Sequence, residues 1–144
     1  VNIRRTLQVT TLLSVAGLGI SFYLAWIYMS GGVIACGPSQ GCASVQHSPY
    51  AWVAGIPIPV YGALGYTLII AIVIAALQWE AKRTEALLAL FGVALFGVLV
   101  SAYLTYLEFF VIGAICKWCI ASAIVMVAVF ALAVAARRQH LSEV

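Results

Sequence analysis

The chain has 144 residues, 65% of them hydrophobic and 8% charged, with a formal net charge of +3. A soluble domain averages about 45–50% apolar and about 25% charged residues, so a water-soluble fold is excluded and lipid is the solvent for most of this surface. The positive balance does not mark a nucleic-acid binder, because the basic residues punctuate the hydrophobic runs instead of gathering on one face.

At about 20 residues per span, the length suits four transmembrane helices in a single domain. The first predicted helix covers about residues 7–29. It is too long for the apolar stretch of a secretory signal and lacks a convincing small-residue cleavage site, so it reads as a retained span. It stops at Ser30-Gly31-Gly32, a flexible break. Residues 31–58 follow with no Asp, Glu, Lys or Arg. Val45, Tyr50, Trp52, Val53 and Ile56 are too apolar for a solvated linker and predict a half-buried cap, with a helical turn over Cys42 to His47.

The second helix is expected over 59–79, opened by Pro59, which a first helical turn tolerates. A polar turn from Glu80 to Glu85 leads to the third, 86–110. The fourth covers 116–136 and ends at Arg137-Arg138. Continuous apolar runs lack the alternation of membrane barrel strands, and a helix satisfies its own backbone in lipid. The expected fold is therefore an all-α membrane protein, a four-transmembrane-helix bundle with an extracytoplasmic capping loop between helices 1 and 2.

Arg4 and Arg5, Lys82 and Arg83, and Arg137 and Arg138 all fall on one side of such a bundle. Lysine and arginine concentrate in cytoplasmic segments, so both termini and the middle turn are expected in the cytoplasm. The 31–58 segment and the connection between the last two helices then face outward, with all four cysteines. Tyr23, Trp26, Tyr28, Tyr103, Tyr106, Phe109 and Trp118 gather toward that outer end, as an interfacial aromatic belt or, for some, the walls of a pocket for a flat ligand. Gly17 and Gly19, Gly62 and Gly65, and Gly92 and Gly97 predict close helix contacts.

The chemistry rests on Cys36-x5-Cys42 and Cys116-Lys117-Trp118-Cys119. No Asp, Glu, Lys or Arg occurs from Thr6 to Trp79, and thiols can carry two electrons by disulfide exchange. A C-x-x-C at a helix start places a thiol where exposed N–H groups favour a thiolate, and Lys117 adds a positive charge. Two bland readings stand beside this one. The cysteines could be a static bridge, since disulfides persist outside the cytoplasm, or a four-cysteine zinc site, which the lack of surrounding polar groups disfavours. Glu108, near the outer end of its helix, is expected to snorkel to water, with proton delivery as the functional alternative. His47 reads as a packed neutral imidazole, and His140 as a tail residue without a role.

The ordered set of C-x5-C, Ser48-Pro49-Tyr50, Gly55-Ile56-Pro57 before the second helix, Tyr103-Leu104 and Phe109-Phe110-Val111 in the third, and C-x-x-C on the fourth resembles the vitamin K epoxide reductase family over nearly the whole chain. The resemblance implies a four-helix catalytic core around a quinone pocket, capped by the outer loop. It implies that Cys116 and Cys119 are the active-site pair, with Cys119 nearest the quinone, and that Cys36 and Cys42 are the loop shuttle. Ser48, Tyr50, Ile58, Tyr61, Tyr103 and Ala123 are expected to join Cys119 around the ring. Vertebrate members carry Asn where Ile58 aligns and Tyr where Ala123 falls. Losing those polar contacts disfavours epoxide reduction and favours a plain membrane quinone of the menaquinone or ubiquinone type.

By likeness to the family's bacterial branch, the expected activity is re-oxidation of a separate extracytoplasmic thioredoxin-fold thiol oxidase, in support of disulfide formation. The expected setting is the plasma (inner) membrane, as a multi-pass monomer in lipid, with no metal and no nucleic acid. Two rivals remain: a small four-helix transporter, which usually needs an acid deep in the bundle, and a non-catalytic membrane subunit stapled by disulfides. Counting thiols that reduce and then reoxidise with quinone separates them from the enzyme.

Overall fold

A computed structural model of the chain describes residues 3–30, 52–112 and 117–143. Cys36, Cys42, His47, Ser48, Tyr50 and Cys116 lie outside the described residues, as does the helical turn expected before Pro49. The same holds for the side chains of Val53 and Glu108.

Among the described residues, four helices are long and apolar enough to cross a membrane. They are α1 (Ile3–Ser30), α2 (Ile58–Gln78), α3 (Arg83–Tyr106) and α4 (Lys117–Glu143). The protein is an all-α membrane protein. Each helix packs on the next in sequence, and α4 closes the ring against α1. α1 starts before residue 7 and α4 runs past Arg138, because hydropathy marks where the bilayer ends while backbone hydrogen bonding carries a helix on into the interface. The third span also departs from a plain helix. After Tyr106 it widens into a π-helical segment, Leu107–Ile112, a form that is rare and frequently found at functional sites.

The described part of the cap is a two-stranded antiparallel hairpin, β1 (Trp52–Val53) and β2 (Ile56–Pro57). Its two turn residues, Ala54 and Gly55, have φ of 55° and 79°, the positive values that the common two-residue hairpin turn requires. Pro57, buried, leads straight into α2, whose first turn holds Pro59. The Trp52 ring lies 6.0 Å from that of Tyr28 in the last turn of α1, so the hairpin sits at the end of the bundle where α1 finishes and α2 begins. Trp52 and Ile56 are more exposed, at 40% and 42%, than a half-buried cap predicts.

The opposite end is closed by side chains from every connection. Arg83 donates from Nε to the Ala76 carbonyl at 3.0 Å, tying the turn to the end of α2. Thr6 donates to Gln139 at 3.1 Å, and Thr84 hydrogen-bonds His140 Nε2 at 2.7 Å. His140 therefore helps hold α3 to α4 and is not an idle tail residue. Arg137 lies over the Phe91 ring, 5.6 Å from its centroid. The packed core fills this half of the bundle with Leu7, Ile69, Val73, Leu87, Leu90 and Val129, and with Ala76, Ala94, Ala133 and Ala136, whose small side chains let the helices approach.

Outward-facing residues are large and apolar: Phe22, Trp26, Met29, Leu64, Phe96, Phe110 and Ile124 are each at least 64% exposed. Such a surface is stable only against lipid. Among the described residues, the buried polar ones are Thr6, Thr10, Ser14 and Ser21, all on α1 and spaced by four or seven. Gly17 falls in the same stripe. This is the face α1 turns inward, and it explains why Gly17 meets a neighbour while Gly19, on the far face, meets none.

Candidate functional site

Where α1 and α3 end and α2 and α4 begin, the packed core gives way to a cavity of about 380 Å³. Pockets for small ligands run from roughly 300 to 1,000 Å³. The lining comes from all four helices and, among the described residues, carries no charged side chain. Ile58, Tyr61, Cys119 and Ala123, all singled out from the sequence, line it. Tyr103 does not; it is 58% exposed on the outside of α3 and is better suited to the interfacial belt.

Cys119 is the cysteine that falls among the described residues. It occupies the third position of α4, half-buried, inside the first turn, whose N–H groups have no partner within the helix. Trp118 beside it meets Tyr23 of α1 with ring centroids 5.0 Å apart. One turn further along α4, Ser122 accepts a hydrogen bond from the Tyr66 hydroxyl at its carbonyl, 2.9 Å away, and its own hydroxyl lies 3.1 Å from the same oxygen. Tyr66 is 1% exposed, and its ring packs flat against Gly17 of α1 so closely that any Cβ there would overlap it. Tyr66 thus ties α2 to α1 and α4 at the floor of the cavity, just below Cys119.

The exposed members of the lining are Tyr61, Phe96 and Val100, from α2 and α3. The cavity therefore opens sideways between those two helices, toward lipid. Leu107, the first residue of the π-helical segment, is 5% exposed and closes the wall on α3. The widened turn rotates the following residues relative to a regular helix and keeps Leu107 inward while Phe109 and Phe110 face out.

Sequence reasoning missed Ser21, Tyr66 and Ser122. Tyr28, one of the aromatic residues left open between belt and pocket wall, is only 5% exposed and forms part of the cavity wall. A signal for α1 was available: hydroxyl and glycine residues at Thr10, Ser14, Gly17 and Ser21 recur every three or four positions, which marks one helix face. Nothing equivalent distinguishes Tyr66, because α2 is apolar around its whole circumference.

The fold and site define a class: a four-helix membrane protein that presents a thiol, at a helix start, to an apolar cavity open to the bilayer. The family model described as the vitamin K epoxide reductase family matches residues 8–134. The chain belongs to that family, as the ordered cysteine and proline motifs led us to expect. Thiol-disulfide oxidoreductase LTO1 of Arabidopsis thaliana is 30% identical over 118 residues, covering 78% of this chain and 31% of the relative. The chain thus spans about a third of the length of that curated relative.

Proposed function

We propose that this protein is a quinone-linked thiol oxidoreductase that re-oxidises a thioredoxin-fold partner outside the cytoplasm, as in the bacterial disulfide-forming branch of its family. The observation that carries the reading is Cys119 in the first turn of α4, lining an uncharged cavity that opens between α2 and α3. Family membership and the thiol-disulfide activity in the relative's name support it. A planar apolar substrate entering from lipid suits such a cavity by volume and by lining.

In this reading the reduced partner attacks a Cys36–Cys42 disulfide, and the thiolate of Cys42 then attacks Cys116 of a Cys116–Cys119 disulfide. Cys119 leaves as a thiolate beside the quinone, with the N–H groups of the α4 terminus around it. The partner's second thiol closes its own disulfide and frees Cys36, and Cys36 then attacks Cys42, re-forming the Cys36–Cys42 bond and releasing Cys116 as a thiol. The Cys116–Cys119 dithiol gives two electrons to the quinone as its disulfide re-forms, and two protons complete the quinol. The sum is partner dithiol plus quinone giving partner disulfide plus quinol. Ser48 and Tyr50 of the cap, with Ile58, Tyr61 and Ala123, are proposed to bound the ring. Apolar Ile58 and Ala123 favour a plain quinone over an epoxide substrate.

Orientation is part of the proposal. Arg4, Arg5, Lys82, Arg83, Arg137 and Arg138 belong to the end of the bundle opposite the cavity, with Lys117 alone at the cavity end, and the arginine-rich end is assigned to the cytoplasmic face of the plasma membrane. In a background with all four cysteines replaced by serine, Thr84→Cys and Ser39→Cys should label from opposite sides of sealed membranes. Labelling of both from outside would reverse the assignment.

The activity itself is tested with purified protein, a short-chain quinone and a reduced thioredoxin-fold protein, following the loss of quinone absorbance. Cys42→Ser should trap the partner as a mixed disulfide with Cys36. Trapping that needs Cys116 and ignores Cys36 would remove the loop pair from the relay. A protein whose disulfides neither reduce nor reoxidise under these conditions would be a stapled subunit instead.

A further inference from the structure

Most hydroxyl groups around the cavity already have partners. Tyr66 and Ser122 bond each other, and Thr105 donates to the Ser101 carbonyl at 2.8 Å. The hydroxyls of Ser21 and Ser101 form no hydrogen bond among the described residues, and of the two Ser21 is the buried one, 4% exposed on the cavity wall. Its oxygen faces Gly62 of α2, lying 3.0 Å from where a Cβ on that glycine would stand. That position is occupied by a glycine C–H, which offers the oxygen a weak donor. The hydroxyl proton is left without an acceptor. A donor in that state, on the wall of a largely apolar cavity, gains from any ligand that brings it an acceptor.

The register of the helices fixes where this donor points along the bundle. α1 and α4 run antiparallel and are joined at two levels. The Tyr23 ring meets Trp118, and the Tyr66 ring bridges Gly17 to Ser122. Ser21 lies between Gly17 and Tyr23 on α1, and Cys119 lies between Trp118 and Ser122 on α4. Both therefore stand at one height and line one cavity from neighbouring helices.

We propose that Ser21 donates a hydrogen bond to a carbonyl oxygen of the quinone whose ring lies against Cys119, and so selects a ligand bearing an oxygen acceptor there. This rests on the quinone reading above. An oxidised quinone presents acceptors only, which matches a donor that lacks one. After reduction the ring oxygen carries a proton, and the serine oxygen, which can also accept, serves the quinol by rotating. The polar contact that positions 58 and 123 cannot supply in this chain is thereby made from α1.

The test compares Ser21→Ala with the native protein and with Ser101→Ala, a half-buried cavity hydroxyl, using a short-chain quinone and excess dithiothreitol as reductant. Ser21→Ala should raise KM for quinone roughly five- to tenfold, the worth of one hydrogen bond to a ligand, with kcat little changed, and Ser101→Ala should change KM less. Without quinone, Ser21→Ala should melt at the same temperature or higher, since it removes an unsatisfied donor, but it should gain less from added quinone. The infrared carbonyl band of carbon-13-labelled quinone, lowered on binding the native protein, should move back toward its free position in Ser21→Ala. An unchanged KM and carbonyl band in Ser21→Ala, while the native protein reduces quinone, would overturn the role of Ser21 and leave the activity standing. A larger KM change in Ser101→Ala than in Ser21→Ala would also overturn it. Failure of the native protein to bind or reduce any quinone would overturn the quinone reading and this inference with it.

Discussion

Cys119→Ala should reduce the rate of quinone reduction by at least about 10³-fold, the scale expected when a group that reacts directly is removed. Among the described residues the rest of the cavity lining is apolar or hydroxyl-bearing and holds no second thiol, so no neighbour replaces Cys119. Cys116→Ala should also stop turnover, but with a different signature. Cys119 is then a thiolate without its exchange partner, held against the quinone, and added quinone should give a long-wavelength charge-transfer band or a covalent adduct. Cys119→Ala should show neither. A band in the Cys119 variant and none in the Cys116 variant would reverse the two sulfur roles.

The second large effect is expected far from any sulfur. Gly17→Val places a branched side chain where the Tyr66 ring already packs. The ring is 1% exposed and its hydroxyl is held by Ser122, so it can yield only toward the cavity and at the expense of that hydrogen bond. Overpacking of this kind costs about 1–3 kcal/mol, and displacement of Tyr66 adds the loss of its hydrogen bond. Tyr66→Phe should by itself cost only about 0.6–1 kcal/mol, since hydrogen bonds between membrane helices are individually modest. Unfolding in mixed detergent micelles measures both. Gly17→Val combined with Tyr66→Leu should recover part of the loss, a coupling that a double-mutant cycle reads directly. Additive losses would mean that the ring and the glycine do not share one packed space. Because Tyr66 also forms the cavity floor, Gly17→Val should weaken quinone binding in whatever fraction still folds.

Sequence reasoning placed all four helices, because a run of apolar residues in lipid has few alternatives to a helix. It placed the polar turn at residues 80–85 for the same reason: Glu80, Lys82, Arg83 and Glu85 cannot be left in the hydrocarbon. Helix ends were less legible. Arg4, Arg5 and Arg138 end the bilayer but not the backbone hydrogen bonding, so α1 and α4 extend beyond the hydrophobic runs. The π-helical segment after Tyr106 left no mark in the pattern, since Leu107 to Ile112 is as apolar as the regular turns before it.

For the proposed site, sequence by itself pointed to thiol chemistry, because four cysteines in an almost uncharged chain, in the order and spacing of one family, left little else to carry electrons. Beyond the hydroxyl-and-glycine stripe of α1, the tertiary structure alone decided which side chains face the cavity. In a soluble helix the inward face is the apolar one; here both faces are apolar, so hydropathy says nothing about direction. Tyr28 and Tyr103, both near helix ends, look alike in sequence, yet one is a wall of the cavity and the other faces outward. Ser21 and Tyr66 acquire their positions from helix register, fixed where Gly17 admits the tyrosine ring and where Ser122 accepts its proton. That register depends on contacts between residues far apart in the chain, and no local pattern encodes it.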